Sequence, residues 1–360
     1  MSDNKRLKGL DFFRIISALL VVAIHTSPFA SLNENADFIL TRIIARCAVP
    51  FFLMVTGYFS LPWYLFYKSE NLRPMFHFIL KSLYLYTAAI ILYLPVNIYA
   101  GHFKNATATD ILRMLIFDGT FYHLWYLPAS VLGVIIVISL GRKLKLGGIM
   151  AICIILYFIG LAGDSYYGVI VEIPAVRAVY DAMFSIFSYT RNGIFYAPVF
   201  LVMGAYIKQS ERNVNAIRRK RVDNAAGFLI SLLLMIAEGM LLHKFNMQRH
   251  DSMYIALIPC MFFLFQLILG MNIRLPNTFG HHYSYHIRYQ MISMWIYIIH
   301  PLMIIAVRGI AKVTHLEKIL VQNSLIHYAA VCIISCLAAL VLELLSRRLQ
   351  VFFNNRSLYE

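Results

Sequence analysis

What most constrains this 360-residue chain is the recurrence of apolar runs about as long as a bilayer is thick. At 1.5 Å per residue, a helix needs about 20 apolar residues to cross roughly 30 Å of hydrocarbon. Inside lipid, only helices and closed barrels satisfy their own backbone. Hydrophobic residues make up 60% of the chain and charged residues 14%, against about half and about a quarter in a soluble domain. The expected fold class is therefore all-α: a polytopic integral membrane protein of about ten transmembrane helices. They fall near 10–30, 38–60, 76–99, 124–141, 147–163, 193–208, 224–243, 252–270, 292–310 and 325–346. One membrane domain is expected over 1–350, with a short cytoplasmic tail at 351–360.

The net charge of +15 would suit a nucleic-acid binder, but the basic residues sit in short loops on alternate sides of the runs. Lys5, Arg6 and Lys8 precede the first run, Lys68 and Arg73 follow the second, and Arg142, Lys143 and Lys145 follow the fourth. Lys208, Arg212, Arg218, Arg219, Lys220 and Arg221 follow the sixth, and Arg347 and Arg348 close the last. The opposite loops, 33–37, 164–189 and 243–251, are acidic or mixed. This is the positive-inside pattern. It points to both termini in the cytoplasm, a multi-pass protein of the plasma membrane, and no nucleic-acid partner. The basic start is not read as a cleaved leader, because Asp11 and Arg14 interrupt the first run and no small-residue cleavage site follows.

Cys47, Cys153, Cys260, Cys332 and Cys336 all lie in apolar runs without zinc-ligand spacing, as packed thiols do. His281, His282 and His286 have no carboxylate or cysteine beside them and read as a loop cluster, so no metal site is expected.

The sharpest chemical signal lies in the first run. Arg14 and His25 are eleven positions apart, roughly three helical turns, so they share a face about 16 Å apart along the axis. Ionisable side chains at membrane depth are costly and mark function by default. A neutral imidazole there can serve as a general base once a partner fixes its tautomer. Arg14, near the cytoplasmic end, could bind a phosphate or carboxylate or reach to the headgroups. In the second run Arg46 is the deeper of two arginines and Arg42 suits an interfacial anchor, while Pro50 and Gly57 interrupt the helix and admit a neighbouring backbone. The 163–192 loop, rich in tyrosine, is too long for a simple connector and either caps a pocket or forms an ordered surface.

Arg14 and His25 together with Arg46-Cys-Ala-Val-Pro-Phe-Phe-Leu-Met-Val-Thr-Gly-Tyr58 resemble the membrane acyltransferase-3 family. Tyr122-His-Leu-Trp-Tyr-Leu-Pro128, Thr190-Arg-Asn-Gly193 and Tyr297-Ile-Ile-His-Pro301 extend the likeness over almost the whole chain. Gly163-Asp-Ser165, Arg191-Asn-Gly-Ile-Phe195 and His250-Asp-Ser-Met-Tyr254 are similar to the membrane domain of VanT-type serine racemases. Those proteins carry a pyridoxal-phosphate-dependent racemase domain after the membrane part. The sequence given ends at Glu360 without one, which fits either a truncation or a standalone member, and racemase chemistry is not assigned to these residues.

The resemblance implies transfer of an acyl group, commonly acetyl from acetyl-CoA, to a hydroxyl or amine of an extracytoplasmic glycan or small molecule. Acyl-CoA is then a substrate and no bound cofactor is implied. Arg14 and Arg46 would hold the donor. His25 would be the catalytic base and Glu238 would orient it or bind the acceptor, with Arg46 or Arg191 as the glutamate's partner. His123, Trp125, Arg191, Asn192 and Asp251 would line the acceptor pocket, with His300 along the path. Two other readings stay open: a transporter-like module for L-serine or a similar polar solute, and a membrane anchor.

Overall fold

A computed structural model of the chain describes residues 8–67, 72–210, 221–271, 278–279, 285–286 and 288–356. The helices, in order, are α1 (Lys8–Thr26), α2 (Glu34–Phe38), α3 (Ala48–Ser60), α4 (Pro62–Tyr67), α5 (Arg73–Tyr99) and α6 (Ala108–Arg113). Then come α7 (Tyr126–Gly141), α8 (Leu146–Ala162), α9 (Tyr167–Ile170), α10 (Pro174–Ile186), α11 (Ala197–Ser210), α12 (Arg221–Lys244) and α13 (Leu257–Leu269). After a minimal antiparallel ladder, β1 (Thr278–Phe279) on β2 (Tyr285–His286), the chain closes with α14 (Tyr289–Val313), α15 (Glu317–Leu320) and α16 (Ser324–Arg356). Of the expected histidine cluster, His281 and His282 lie outside the described residues and His286 stands in β2.

Six helical stretches are long and apolar enough to cross a membrane: Lys8–Thr26, Glu34–Ser60, Arg73–Tyr99, Val222–Lys244, Tyr289–Val313 and Ser324–Arg348. The other four expected crossings fall on shorter helices. Tyr126–Gly141, Leu146–Ala162 and Leu257–Leu269 are apolar but have 16, 17 and 13 residues, and Ala197–Ser210 has 14. The first helix ends at Thr26 rather than near residue 30. Ser27 takes a left-handed conformation (φ 49°), and Pro28 cannot continue a helix. The long loop after α8 holds α9 and α10, so it is ordered by helices of its own.

The chain divides into two compact units. The first joins Met1–Ala48 to Ile268–Glu360. Its core is a three-helix seam in which Ala18 and Val22 of α1, Ile292, Ile296, Ile304 and Val307 of α14, and Val331 and Ala339 of α16 pack together. The Ser324 hydroxyl, at the start of α16, donates to the Pro28 carbonyl (2.8 Å) and meets the Ser31 hydroxyl (2.7 Å) just past the end of α1. At the opposite end, Arg288 before α14 pairs with Glu343 late in α16 (2.8 Å), and Arg347 pairs with the same carboxylate. So α1 and α14 run parallel and α16 runs against both.

The second unit is Val49–Leu267. In it α3 and α11 approach through glycine. A Cβ at Gly57 would collide with the Leu201 carbonyl, and one at Gly204 with that of Met54. Small residues in register let two backbones touch, as membrane helices do. Gly57 thus does what its position implied. Pro50, in the first turn of α3, has no N–H for the carbonyls of the turn before it, and that turn is the 3-10 turn at Ile44–Cys47, itself preceded by a π turn at Ile39–Ile43. Gly204→Val is expected to destabilise the detergent-solubilised protein by about 1–3 kcal/mol through overpacking, read as a lower thermal midpoint, whereas Gly147→Ala, where a Cβ meets nothing, is expected to leave it unchanged.

Candidate functional site

In the first unit the structure brings two of the expected residues together. The imidazoles of His25 and His300 stack, with ring centroids 5.4 Å apart and planes 23° from parallel. His25 is in the last turn of α1, closer to that end than a longer first helix would have put it. His300 is wholly buried in α14.

The state of His300 follows from its neighbour. Pro301 has no N–H, so the carbonyl of Tyr297 loses its helical donor. The His300 Nδ1 lies 2.8 Å from that carbonyl and 3.2 Å from the carbonyl of Ile296. Carbonyl oxygens only accept, so Nδ1 carries the proton and Nε2 carries the lone pair. The His-Pro pair is therefore a device that repairs a broken helix bond and fixes a tautomer at one stroke.

Arg14 lies further down α1. Its Nη1 donates to Asp11 at 2.7 Å, and both side chains are largely buried, 12% and 10% exposed. A carboxylate in the first turn is favoured by the helix dipole, and here it also anchors the guanidinium. Asp11, read from sequence only as an interruption, is thus a positioning partner. Arg46 is buried, in the 3-10 turn, and its Nε donates to the Arg42 carbonyl (3.4 Å).

The second unit gathers another set. Arg191 lies over the rings of Tyr189 (4.4 Å) and Trp125 (5.1 Å), and its Nη1 reaches the Ser252 hydroxyl (3.4 Å). The Tyr189 ring also meets His250 at 4.5 Å. Tyr189, His250 and Ser252 join the expected Trp125 and Arg191 through aromatic and cation–π contacts, which single-residue arguments from sequence do not foresee. Asn192 is a turn maker: its side-chain oxygen accepts from the Ile194 and Phe195 amides, and its amide donates to the Tyr189 carbonyl. It sets the entry to α11 and holds Arg191 in place. His123 is buried within a cage of Tyr93, Phe121 and Tyr122, at 5.1, 5.7 and 5.6 Å. Asp251 is half-buried beside Ser252.

Glu238 departs from expectation. Its partners are neither Arg46 nor Arg191. One oxygen accepts from Tyr166 Oη (2.9 Å) and the Ile255 amide (2.7 Å), the other from the Ala256 amide (2.9 Å). Those amides lie just before α13, among the donors a helix start leaves unsatisfied. The geometry makes Glu238 the cap of α13.

A neighbouring carboxylate does similar work. Asp164, just beyond α8, is fully buried and accepts from the Ser252 (2.7 Å) and Met253 (3.0 Å) amides and from Ser165 Oγ (3.0 Å). It ties the loop after α8 to the segment that carries Asp251. Burial pushes its carboxyl up to about 6, opposed by the Ser252 amide and Arg191 and reinforced by Asp251.

This architecture, with a histidine and an arginine on the first helix, defines a class, and a family match agrees with it. A model described as an acyltransferase domain matches residues 7–344. The chain belongs to the acyltransferase-3 family. Within that family it is similar to proteins named as racemases. Two amino-acid racemases of Enterococcus faecalis are 40% and 35% identical, over 96% of this chain and 46% and 47% of their own length. A serine/alanine racemase of Enterococcus gallinarum is 36% identical over 91% of this chain and 45% of its own. The chain thus spans a little under half the length of these curated relatives. No solved structure matches it.

Two outcomes test the carboxylates. Glu238→Gln, which keeps one acceptor oxygen, is expected to cost less stability than Glu238→Ala, which removes the acceptor of three donors, two of them in part-buried bonds, at about 1 kcal/mol per bond; thermal unfolding of the two variants compares them. For Asp164 the folded value stands above the ordinary 3.8, so its stabilising contribution is full below about pH 4 and is lost as pH rises through about 6. Asp164→Asn is expected to flatten the pH dependence of the unfolding midpoint between about pH 4 and 6.

Proposed function

We propose that this protein is a membrane acyltransferase, moving an acyl group, acetyl in the first instance, from cytoplasmic acyl-CoA to a hydroxyl or amine of an extracytoplasmic acceptor such as a cell-envelope glycan. One observation carries the reading beyond family membership: the stacked His25–His300 pair, with the His300 tautomer fixed and His25 on the helix that also holds Arg14. General base catalysis needs an imidazole whose protonation state is held by a neighbour. In this reading His25 takes the proton of the acceptor as its oxygen or nitrogen attacks the thioester carbonyl, and the thiolate of CoA leaves. His300 keeps the ring beside it oriented. Arg14, held by Asp11, and Arg46 meet donor phosphates, for which a planar guanidinium is suited. In the second unit Trp125, Arg191 and Asp251, with Asn192 shaping their turn, form a set suited to the polar groups of an acceptor.

The proposed topology has about ten crossings and both termini in the cytoplasm. Loop charge supports it, and so does the first unit. There, α1 and α14 run parallel, so an odd number of crossings separates them, and α16 returns its far end to the level of Lys8. The 13- to 17-residue helices would complete their crossings with the ordered segments that flank them.

A second reading rests on the relatives, all named as racemases of amino acids. Under it the domain is a membrane module for L-serine or a similar solute, with the arginines binding the carboxylate and His25 relaying a proton.

The deciding experiment uses the purified full chain in liposomes with labelled acetyl-CoA. His25→Ala is expected to reduce label transfer or CoA release at least 100-fold, the usual contribution of a general base. His300→Ala should fall between the two, through its effect on orientation. Labelled serine accumulating in the same vesicles, lost on changing Arg14 or His25 and indifferent to acetyl-CoA, would replace the acyltransferase with the transporter.

A further inference from the structure

The long loop of the second unit carries a helix with two apolar sides, of which the chain covers one. It is α10, 13 residues from Pro174 to Ile186. Set out at about 100° per residue, its side chains fall into three sectors roughly 120° apart. Val176, Tyr180, Met183 and Phe184 make the first and are buried or half-buried. Arg177, Asp181 and Ser185 make the second. All three are exposed, and Arg177 pairs with Asp181 at 3.6 Å. Ala175, Val179, Ala182 and Ile186 make the third, and these too are exposed, Val179 and Ile186 at 58% each. A helix at a water-facing surface needs one apolar stripe and turns the rest to solvent. The third sector is a second stripe.

Packing fixes the level at which this stripe lies. Tyr180 donates to the Ile159 carbonyl in the last turn of α8 (2.7 Å), and a Cβ at Gly163 would meet the Tyr180 ring. Arg249 lies over the Phe184 ring at 3.3 Å, and Tyr167 meets the same ring at 5.7 Å. Past the last turn, Arg113 donates to the Ser185 carbonyl (2.6 Å), and both oxygens of Asp118 accept from the Ser188 amide (3.1 Å). The helix is therefore held against the end of α8. Ile159, with Ile155 and Phe158, belongs to the exposed apolar side of α8, the side that an apolar membrane helix turns to lipid. So α10 sits where such a helix leaves the hydrocarbon, and its third sector is one more apolar surface at that level.

Composition decides what covers it. Protein-binding patches are anchored by Trp, Tyr or Arg side chains, and a stripe of Ala, Val, Ala and Ile has no such anchor. A smooth aliphatic stripe beside a polar face suits the boundary between headgroups and acyl chains. Tyr166, Tyr167, Tyr180 and Tyr189 of the same loop are of a residue type enriched at that boundary.

We infer that α10 is a membrane-surface helix. Ala175, Val179, Ala182 and Ile186 lie among the lipid chains just beneath the headgroups, while Arg177, Asp181 and Ser185 face water. The chain passes directly from this helix to Tyr189 and Arg191, so the helix sets their cluster at headgroup level. This placement depends on residence in a membrane and not on the acyltransferase reading.

The test uses the full chain in phosphatidylcholine liposomes, with one tryptophan added at an exposed position: Val179→Trp, Ile186→Trp or, in the polar sector, Ser185→Trp. Emission of the native protein, from Trp63, Trp125 and Trp295, is subtracted. Val179→Trp and Ile186→Trp are expected to be quenched by phospholipids brominated on the acyl chain, most strongly with bromine near the glycerol, since an interfacial helix sinks about 5–10 Å into the boundary. Acrylamide in the water phase is expected to quench them less than Ser185→Trp. If acrylamide reaches Val179→Trp as freely as Ser185→Trp, the stripe is in water; if neither quencher reaches it, a protein surface covers it. Either result overturns the placement. Because tryptophan itself favours the boundary, the native chain is also photolabelled with a phospholipid carrying a diazirine high on one acyl chain. Adducts are expected at Val179 or Ile186 and not at Arg177 or Ser185; adducts spread evenly over α10, or none on it, overturn the placement.

Discussion

At membrane depth a backbone carbonyl without a donor has no water to turn to. That constraint organises the centre of the first unit. Pro301 removes the donor for the Tyr297 carbonyl, and the His300 ring supplies one. The repair is made by the only side chain adjacent to the proline that can also present a second nitrogen, so the cost of the break is met by a group with chemistry to spare. His25 then packs face to face on that ring. Parallel α1 and α14 are needed to bring the two to the same level, and that alignment depends in turn on the seam of small and branched side chains from Ala18 to Val307.

The second unit solves its polar problems with carboxylates rather than histidines. Asp164 and Glu238 each collect backbone amides from one stretch, 252–256, that precedes α13. A 13-residue helix has few bonds of its own to hold it at a given depth, and its start is held from two directions. Tyr157 adds a third support, donating to the Tyr254 carbonyl at 2.8 Å while accepting from the Tyr254 amide at 3.2 Å. Ser252, between these points, is where Arg191 makes contact, so the aromatic stack around that arginine rests on a fixed floor.

The apolar runs, the placing of Arg14 and His25 on one helix and the glycine contact at Gly57 were legible because each depends on residue type and spacing alone. Hydrophobicity located segments but did not measure helices: four apolar stretches begin or end in turns, as at Asn192, whose side chain takes the amides of Ile194 and Phe195 and delays α11 to Ala197. Nor could spacing tell Glu238 the partner of a catalytic base from Glu238 the cap. That difference lies in partners 17 and 72 positions away, Ile255 and Tyr166, and a carboxylate at depth looks the same in a sequence whichever it serves. Arg14 was visible as a cation, yet its relation to Asp11 was hidden in plain view, because an acid in a first turn has a sufficient explanation in the dipole. The cation–π pairs of Arg191 and Lys208 join residues 2 to 150 positions apart and leave no periodic trace.

The seam of the first unit also has a consequence for how the protein is made. Its first helix leaves the ribosome long before the helices it packs on. His300 is translated 275 residues after His25, which at roughly 5–20 residues per second is about 14–55 s later. During that interval α1 is in the bilayer with a buried arginine and a histidine but without α14 or α16 beside it. The Asp11–Arg14 pair, made entirely within one turn, is the part of the unit that can form at once. It lets the first helix wait, with its charge already compensated, for the end of the chain to complete the bundle.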